Sequence, residues 1–216
     1  MKSITFHLDF ISPYAYLAFE ALPETLRGLA VQVIYRPVLF AGLLKHHGQL
    51  GPAEIAPKRH WTYRQVMWQA RQHSIALEPP ANHPFNPLAL LRLALACEAT
   101  APHAGAVGRE VCETLFRHVW RGGAVADDPD RLRSVTSMLA PVHSPESPDV
   151  KAALRTNTDA AIAQGVFGVP TFIVDDQLFW GFDALPMLRA YLQGDPFFNG
   201  PWQVGTQVGA GVVRRG

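Results

Sequence analysis

Ser12 and Pro13 stand at the junction of a strand-like run, His7 to Ile11, and a helical pattern in "FISPYAYL". Proline favours the first turn of a helix, where its missing N–H would lack a partner anyway. That puts Ser12 at the N-cap, its hydroxyl beside unpaired backbone N–H groups at the positive end of the helix. A serine there serves as an ordinary cap or as a donor that holds a reactive anion. A second feature is Val169-Pro170 in "GVFGVPTF", just ahead of a strand-like run. Proline cannot donate to a sheet ladder, and X-Pro bonds admit the cis form at small cost. A plain trans turn is the alternative.

Other chemistries find little support. Cys97 and Cys112 are fifteen residues apart in apolar helical patterns, which suits buried, inert thiols, and no C-x-x-C occurs. The nine histidines include no H-E-x-x-H and no Cys/His ligand spacing, so no metal is expected. A serine hydrolase is disfavoured by the lack of G-x-S-x-G and of an identifiable base partner. There is no Gly-rich phosphate loop.

The 216 residues suffice for one domain with a full core, or for one domain carrying a large insertion. Hydrophobic residues make up 48% and charged residues 17%, with mean hydropathy +0.04. A net charge of +1 and a pI near 7.9 give no electrostatic case for nucleic acid or an anionic membrane as partner. His7 and Asp9 interrupt any leader-like apolar run, and no run would span a bilayer, so a cytoplasmic protein is expected.

The elements that must position Ser12 and Val169 follow from the patterning. Ser3 to Phe10 alternates as strand one. Pro13 to Leu26 reads as a helix with Tyr14, Leu17, Ala18, Ala21 and Leu22 on its apolar face, ended by Gly28. Val31 to Val38 is strand two, and the β-α-β order predicts that it runs parallel to strand one. The middle is helical. Pro57 to Ser74 has apolar Trp61, Met67 and Trp68 among basic residues. Asn86 caps a helix with Pro87 in its first turn, and Asp128-Pro129 and Ser147-Pro148 repeat that start. A further helix carries Val107, Val111, Leu115, Phe116 and Val119, and Gly122-Gly123 stops it. Thr171 to Val174, a turn at Asp175-Asp176 and "QLFW" predict a hairpin, followed by a helix over Asp183 to Leu192 with Pro186 in its first turn. The glycine-rich end from Gly194 is expected to pack loosely. Without its helical middle the chain is β-α-β then β-β-α: an α/β, thioredoxin-like fold. The expected division is 1–39 with 155–200 as the thioredoxin-like part, 40–154 as an all-helical insertion, and 201–216 as a flexible tail.

"LDFISPYAYL", "GVFGVPTF" and "LFWGFDALPML", with "RPVLFAGLLK" and "HPFNPLALLRL" between them, resemble the 2-hydroxychromene-2-carboxylate isomerases. These belong to a glutathione-dependent group that includes kappa-class glutathione transferases and is related to DsbA. The resemblance runs from about Ser3 to about Leu192. It implies that Ser12 replaces the redox cysteine of DsbA-like proteins and activates a thiol brought in by glutathione. It also implies a cis Pro170 in a loop facing the first helix.

Within that resemblance, Ser12, Pro13, Tyr14, Gln49, Lys58, Val169, Pro170 and Asp183 form the glutathione site. The Val169 backbone pairs with the cysteinyl part and Asp183 contacts the γ-glutamyl end, unless Asp183 only caps the last helix. Lys58 holds a carboxylate. Lys45, Asn86 and Pro87 lie on the substrate side, although cap duty explains Asn86 equally well. Tyr14, Trp61, Trp68, Phe85 and Trp180 either wall an apolar pocket for a small aromatic carboxylate or belong to the core. Two positions depart from the group: Gln49 stands where Asn is common, and Ala184 follows Asp183 where Arg is common. The implied activity is glutathione-dependent isomerisation of 2-hydroxychromene-2-carboxylate to trans-o-hydroxybenzylidenepyruvate, in a homodimer. A kappa-type transferase and a non-catalytic binding module are the alternatives.

Overall fold

The computed structural model describes residues 1–97, 103–209 and 211. Strand β1 (Lys2–Leu8) leads into helix α1 (Pro13–Thr25) and strand β2 (Val31–Pro37), which lies parallel to β1 with Lys2 opposite Val31 and Leu8 opposite Pro37. Six α-helices follow among the described residues: α2 (Phe40–His46), α3 (Ala56–Gln72), α4 (Leu88–Ala96), α5 (Arg109–Trp120), α6 (Pro129–Leu139) and α7 (Pro148–Ala163). Strands β3 (Thr171–Val174) and β4 (Gln177–Trp180) come next, then α8 (Leu185–Leu192) and the short α9 (Pro201–Val204). The sheet order is β2-β1-β3-β4, with β3 antiparallel to β1 and β4. Asp175 and Asp176 both take positive φ (48° and 63°), as a two-residue hairpin turn requires.

Both faces of the sheet are covered. Ile4, Phe6, Leu8, Phe172, Val174 and Phe179 join α1, α5 and α8 in the main core, where the Phe6 and Phe172 rings lie 4.5 Å apart. Alternate residues Ile173 and Leu178 pack on Val38, Leu43 of α2, Ala161 of α7, Val166 and Val169. Asn157 of α7 ties that second layer to the sheet edge. Its Nδ2 donates to the Pro37 and Gly105 carbonyls at 3.0 and 2.7 Å, and its Oδ1 accepts from Arg36 at 3.0 Å. Asp128 and Ser147 cap α6 and α7 ahead of their prolines, as the sequence predicts.

Several expectations need correction. Strand one stops at Leu8, because Asp9 accepts the Ser12 and Ile11 N–H groups and turns the chain. Trp61, Met67 and Trp68 are exposed (64, 47 and 55%), since α3 buries only Val66 and Ala70. Trp180 is exposed as well, so of the five aromatics suggested as pocket wall or core only Phe85 is buried. Helix α4 begins at Leu88, one residue later than Asn86 as cap would give. Pro87 is the cap residue, and Asn86 Oδ1 accepts the Leu88 N–H at 3.1 Å. Val107 precedes α5 and bridges to Tyr35. The last long helix starts at Leu185, after a 3-10 turn over Phe182–Ala184.

The boundary expected at 154/155 falls inside α7. The segment from Gly194 does not pack loosely throughout: Phe198 is buried, and Trp202 stacks on Phe179 at 5.9 Å while its Nε1 donates to Gln177 at 2.8 Å. Residues 210 and 212–216 of the expected tail lie outside the described residues. No described helix is long and apolar enough to cross a membrane.

Candidate active site

Ser12 caps α1 as its sequence context predicts. Its Oγ accepts the Ala15 N–H at 3.2 Å and donates to the Val169 carbonyl at 3.2 Å, and the residue is only 6% exposed. The Val169–Pro170 bond is cis. The N-terminus of α1 thus faces the loop that opens β3. That loop is tied onward, since Gly181 N–H donates to the Pro170 carbonyl at 2.9 Å, and Gly181 leads into the turn holding Asp183.

The turn that carries Ser12 is held from three sides. Asp9 is buried and accepts Ile11 N–H at 3.1 Å and Phe40 N–H at 2.9 Å. Trp120 Nε1 donates to the Phe10 carbonyl at 2.9 Å. His83 Nε2 lies 2.9 Å from the Ile11 carbonyl. Burial raises the Asp9 carboxyl to about 7, against the pull of its backbone donors. His7, one strand repeat earlier on the same face, is driven down to about 4 by burial, with Arg36 adding to the effect.

Ser12, Pro13, Val169 and Pro170 therefore meet, all buried. Tyr14 flanks them, half-buried, with its hydroxyl donating to Gln65 of α3 at 2.6 Å. Burial raises the Tyr14 phenol, and the negative charge of Asp183 contributes, so Asp183 lies within electrostatic reach. Asp183 is exposed, and neither the 3-10 turn nor α8 takes a cap bond from a side chain, so the capping alternative is not realised. Lys45, Gln49 and Lys58 are exposed at the end of α2, in the following loop and in the first turn of α3. Asn86 is exposed and Pro87 buried at the start of α4. No hydrogen bond joins these five to the Ser12–Val169 pair among the described residues.

A helix N-terminus set against a cis-proline loop is the geometry of the thioredoxin fold, here with a hydroxyl where sulfur would stand. The model of the DsbA-like thioredoxin domain matches residues 3–193. The chain belongs to this DsbA-like thioredoxin family. Among its relatives is a 2-hydroxychromene-2-carboxylate isomerase of Sphingobium xenophagum, 28% identical over 198 residues, covering 88% of this chain and 98% of that protein. Glutathione S-transferase kappa 2 of Caenorhabditis elegans is 26% identical over 222 residues, covering 93% and 95%. A solved 2-hydroxychromene-2-carboxylate isomerase superposes with a TM-score of 0.74 at 23% identity over 93% of this chain and 98% of its own. This DsbA-like chain has no group of three His, Cys, Asp or Glu placed to hold a metal among the described residues.

Sequence reasoning missed the buried Asp9, the Tyr14–Gln65 contact and the His83 anchor. It assigned Asp9 to an alternating strand, where polar positions face solvent; the second layer of helices buries that face.

Proposed function

We propose that this chain is a glutathione-dependent isomerase interconverting 2-hydroxychromene-2-carboxylate and trans-o-hydroxybenzylidenepyruvate in the degradation of aromatic compounds. The observation that carries the reading is the Ser12 hydroxyl, buried at the N-terminus of α1 and 3.2 Å from the carbonyl that precedes cis Pro170. The names of the relatives support the reaction class.

The residues suit glutathione. Asp183 offers an exposed carboxylate with no cap duty to an ammonium group. Val169 offers its backbone, with Pro13, Tyr14 and Pro170 around it; Lys58 and Gln49 would meet the remaining polar groups. Bound glutathione supplies a thiol that, as thiolate, adds to and leaves a conjugated carbon, so a double bond becomes single long enough to rotate. Ser12 has one proton, now on the Val169 carbonyl. A guest that takes up that carbonyl leaves the hydroxyl to donate to an anion at the same helix end. The hydroxyl and the helix N-terminus both favour the charged form of a thiol. Lys45, Asn86 and Pro87 would lie on the side of a small aromatic carboxylate substrate. A cytoplasmic homodimer completes the proposal.

The test follows conversion of 2-hydroxychromene-2-carboxylate with and without glutathione. Glutathione-dependent conversion with all glutathione recovered supports the isomerase. A stable conjugate instead moves the chain to the kappa-type transferases, and no binding of glutathione leaves only a non-catalytic module.

A further inference from the structure

The chain that enters Ser12 is pinned peptide by peptide. The Phe10–Ile11 unit accepts Trp120 Nε1 on its carbonyl at 2.9 Å and gives its N–H to Asp9 Oδ1 at 3.1 Å. The Ile11–Ser12 unit meets His83 Nε2 at its carbonyl, also at 2.9 Å, and gives its N–H to the Asp9 carbonyl at 3.1 Å. Both planes are therefore held at both edges. Asp9 takes the two N–H groups from within the turn. The two carbonyls are met by side chains from the last residue of α5 and from the segment between α3 and α4.

The two donors belong to one aromatic body. The His83 and Trp120 rings lie 5.9 Å apart. Tyr63 and Phe85 flank His83 at 5.6 and 6.1 Å, and Tyr16 stacks on Trp120 at 6.3 Å. A carbonyl only accepts, so the contact with Ile11 puts the imidazole proton on Nε2. Burial lowers the ring's pKa, against the pull of the Ile11 bond, and keeps it neutral. Nδ1 is then an acceptor, buried and without a partner among the described residues. Unmet buried polar atoms are costly, so for packing alone a phenyl ring would suit this cage better. What imidazole adds is one N–H donor, and that donor goes to the peptide that carries Ser12.

We propose that His83 and Trp120 are positioning residues for the site at the N-terminus of α1: their donors fix the two peptides that lead into residue 12, and so the point from which its side chain holds an anion. Both act through the backbone, and His83 acts on the peptide bonded directly to Ser12. Without the His83 donor the Ile11 carbonyl turns toward water. Residue 12 turns with it, away from the Ala15 N–H that its Oγ now meets at 3.2 Å. Only in naming that anion as the thiolate of glutathione does the assignment rest on the function proposed above.

Ser12→Cys in the full chain supplies a probe that needs no glutathione, a thiol at this helix end titrated by its ultraviolet absorbance. With the turn intact its pKa should lie well below about 8.5. Adding His83→Phe should raise that pKa by about 1, a tenfold weaker preference for the thiolate. Tm should change little, because the lost bond and the removal of the unpartnered Nδ1 offset each other. His83→Gln carries an N–H donor at similar reach and should restore the pKa of the Ser12→Cys protein. Trp120→Phe should raise the pKa as His83→Phe does, with a lower Tm, since it empties space at a fully buried position. A thiol pKa that is the same with and without His83→Phe overturns the proposal, and so does a His83→Gln protein that titrates like His83→Phe. Glutathione is titrated separately into the wild type: its failure to bind refutes the glutathione-dependent reading and leaves the role of His83 to be decided by the thiol pKa.

Discussion

Replacing Ser12 by Ala separates the two roles its position allows. As a cap, Ser12 Oγ meets the Ala15 N–H and the Val169 carbonyl, both at 3.2 Å. Losing a cap costs about 0.5–2 kcal/mol, and an ordinary hydrogen bond about 1 kcal/mol more, so Ser12→Ala should lose about 1–3 kcal/mol. At about 2–4 °C per kcal/mol for a chain of this size, Tm falls by roughly 2–12 °C. As an activator, Ser12 donates to a bound thiolate, and a hydrogen bond to a charged group is worth about 1.5–3 kcal/mol. A donor to the anion favours the charged form, so its removal raises the bound thiol's pKa, by about one to two units. The helix N-terminus remains in the variant and keeps part of the depression. The assay is the ultraviolet absorbance of the thiolate of bound glutathione against pH, beside a thermal melt of each protein. A control needs no glutathione: Ser12→Cys puts sulfur at the same helix end, and its pKa should lie well below the usual value of about 8.5. A drop in Tm with no change in the bound thiol's pKa would refute the reasoning and leave Ser12 as a cap alone.

Asp183→Asn should weaken glutathione about tenfold, read by calorimetry, with Tm unchanged, because the carboxylate is exposed and caps nothing. Stability against pH should expose two opposed groups. Asp9, about 7 folded against 3.8 unfolded, holds its proton longer in the fold, so its contribution of about 4 kcal/mol is lost as pH rises from about 4 to 7. His7, about 4 folded against 6.5, costs about 3 kcal/mol as pH falls from about 6.5 to 4. Urea unfolding of the wild type should be nearly flat between those values, whereas Asp9→Asn should lose stability with acid; a flat Asp9→Asn profile contradicts the burial of His7. Trp202→Ala should cost about 1–3 kcal/mol in the same assay, through the lost stack on Phe179 and bond to Gln177; no loss would mean that residues 201–204 do not hold the core.

Punctuation made the chemistry-bearing ends legible. Ser12-Pro13, Asp128-Pro129 and Ser147-Pro148 each announce a helix start by one mechanism, a capping oxygen before a residue that needs no donor, and all three caps form. The Asp175-Asp176 turn was readable because aspartate tolerates positive φ, whereas the residues at Val169-Pro170 left cis and trans open and only the resemblance favoured cis. Periodicity misled in α3, where Trp61 and Trp68 repeat at seven residues yet face solvent, because the face toward α1 is narrow and takes the smaller Val66 and Ala70. Alternation misled at His7 and Asp9, since a sheet covered on both faces buries its polar positions with the rest. In the closing segment glycine content outweighed Phe198 and Trp202, the two residues that decide how it packs.

A hydroxyl at the end of α1 changes what the fold can do. A thiol there would be ionised by the helix, form disulfides and leave from them; serine does none of these at neutral pH. The field at the helix end then acts on whatever anion is brought to it. Such a site needs a rigid presenting turn, because a donor displaced by a fraction of an ångström loses its bond. The Asp9 to Ser12 turn has that rigidity: Asp9 closes it from within, Trp120 holds the Phe10 carbonyl and His83 holds the Ile11 carbonyl. Trp120 and His83, from two distant parts of the chain, thus fix the two carbonyls that lead into Ser12.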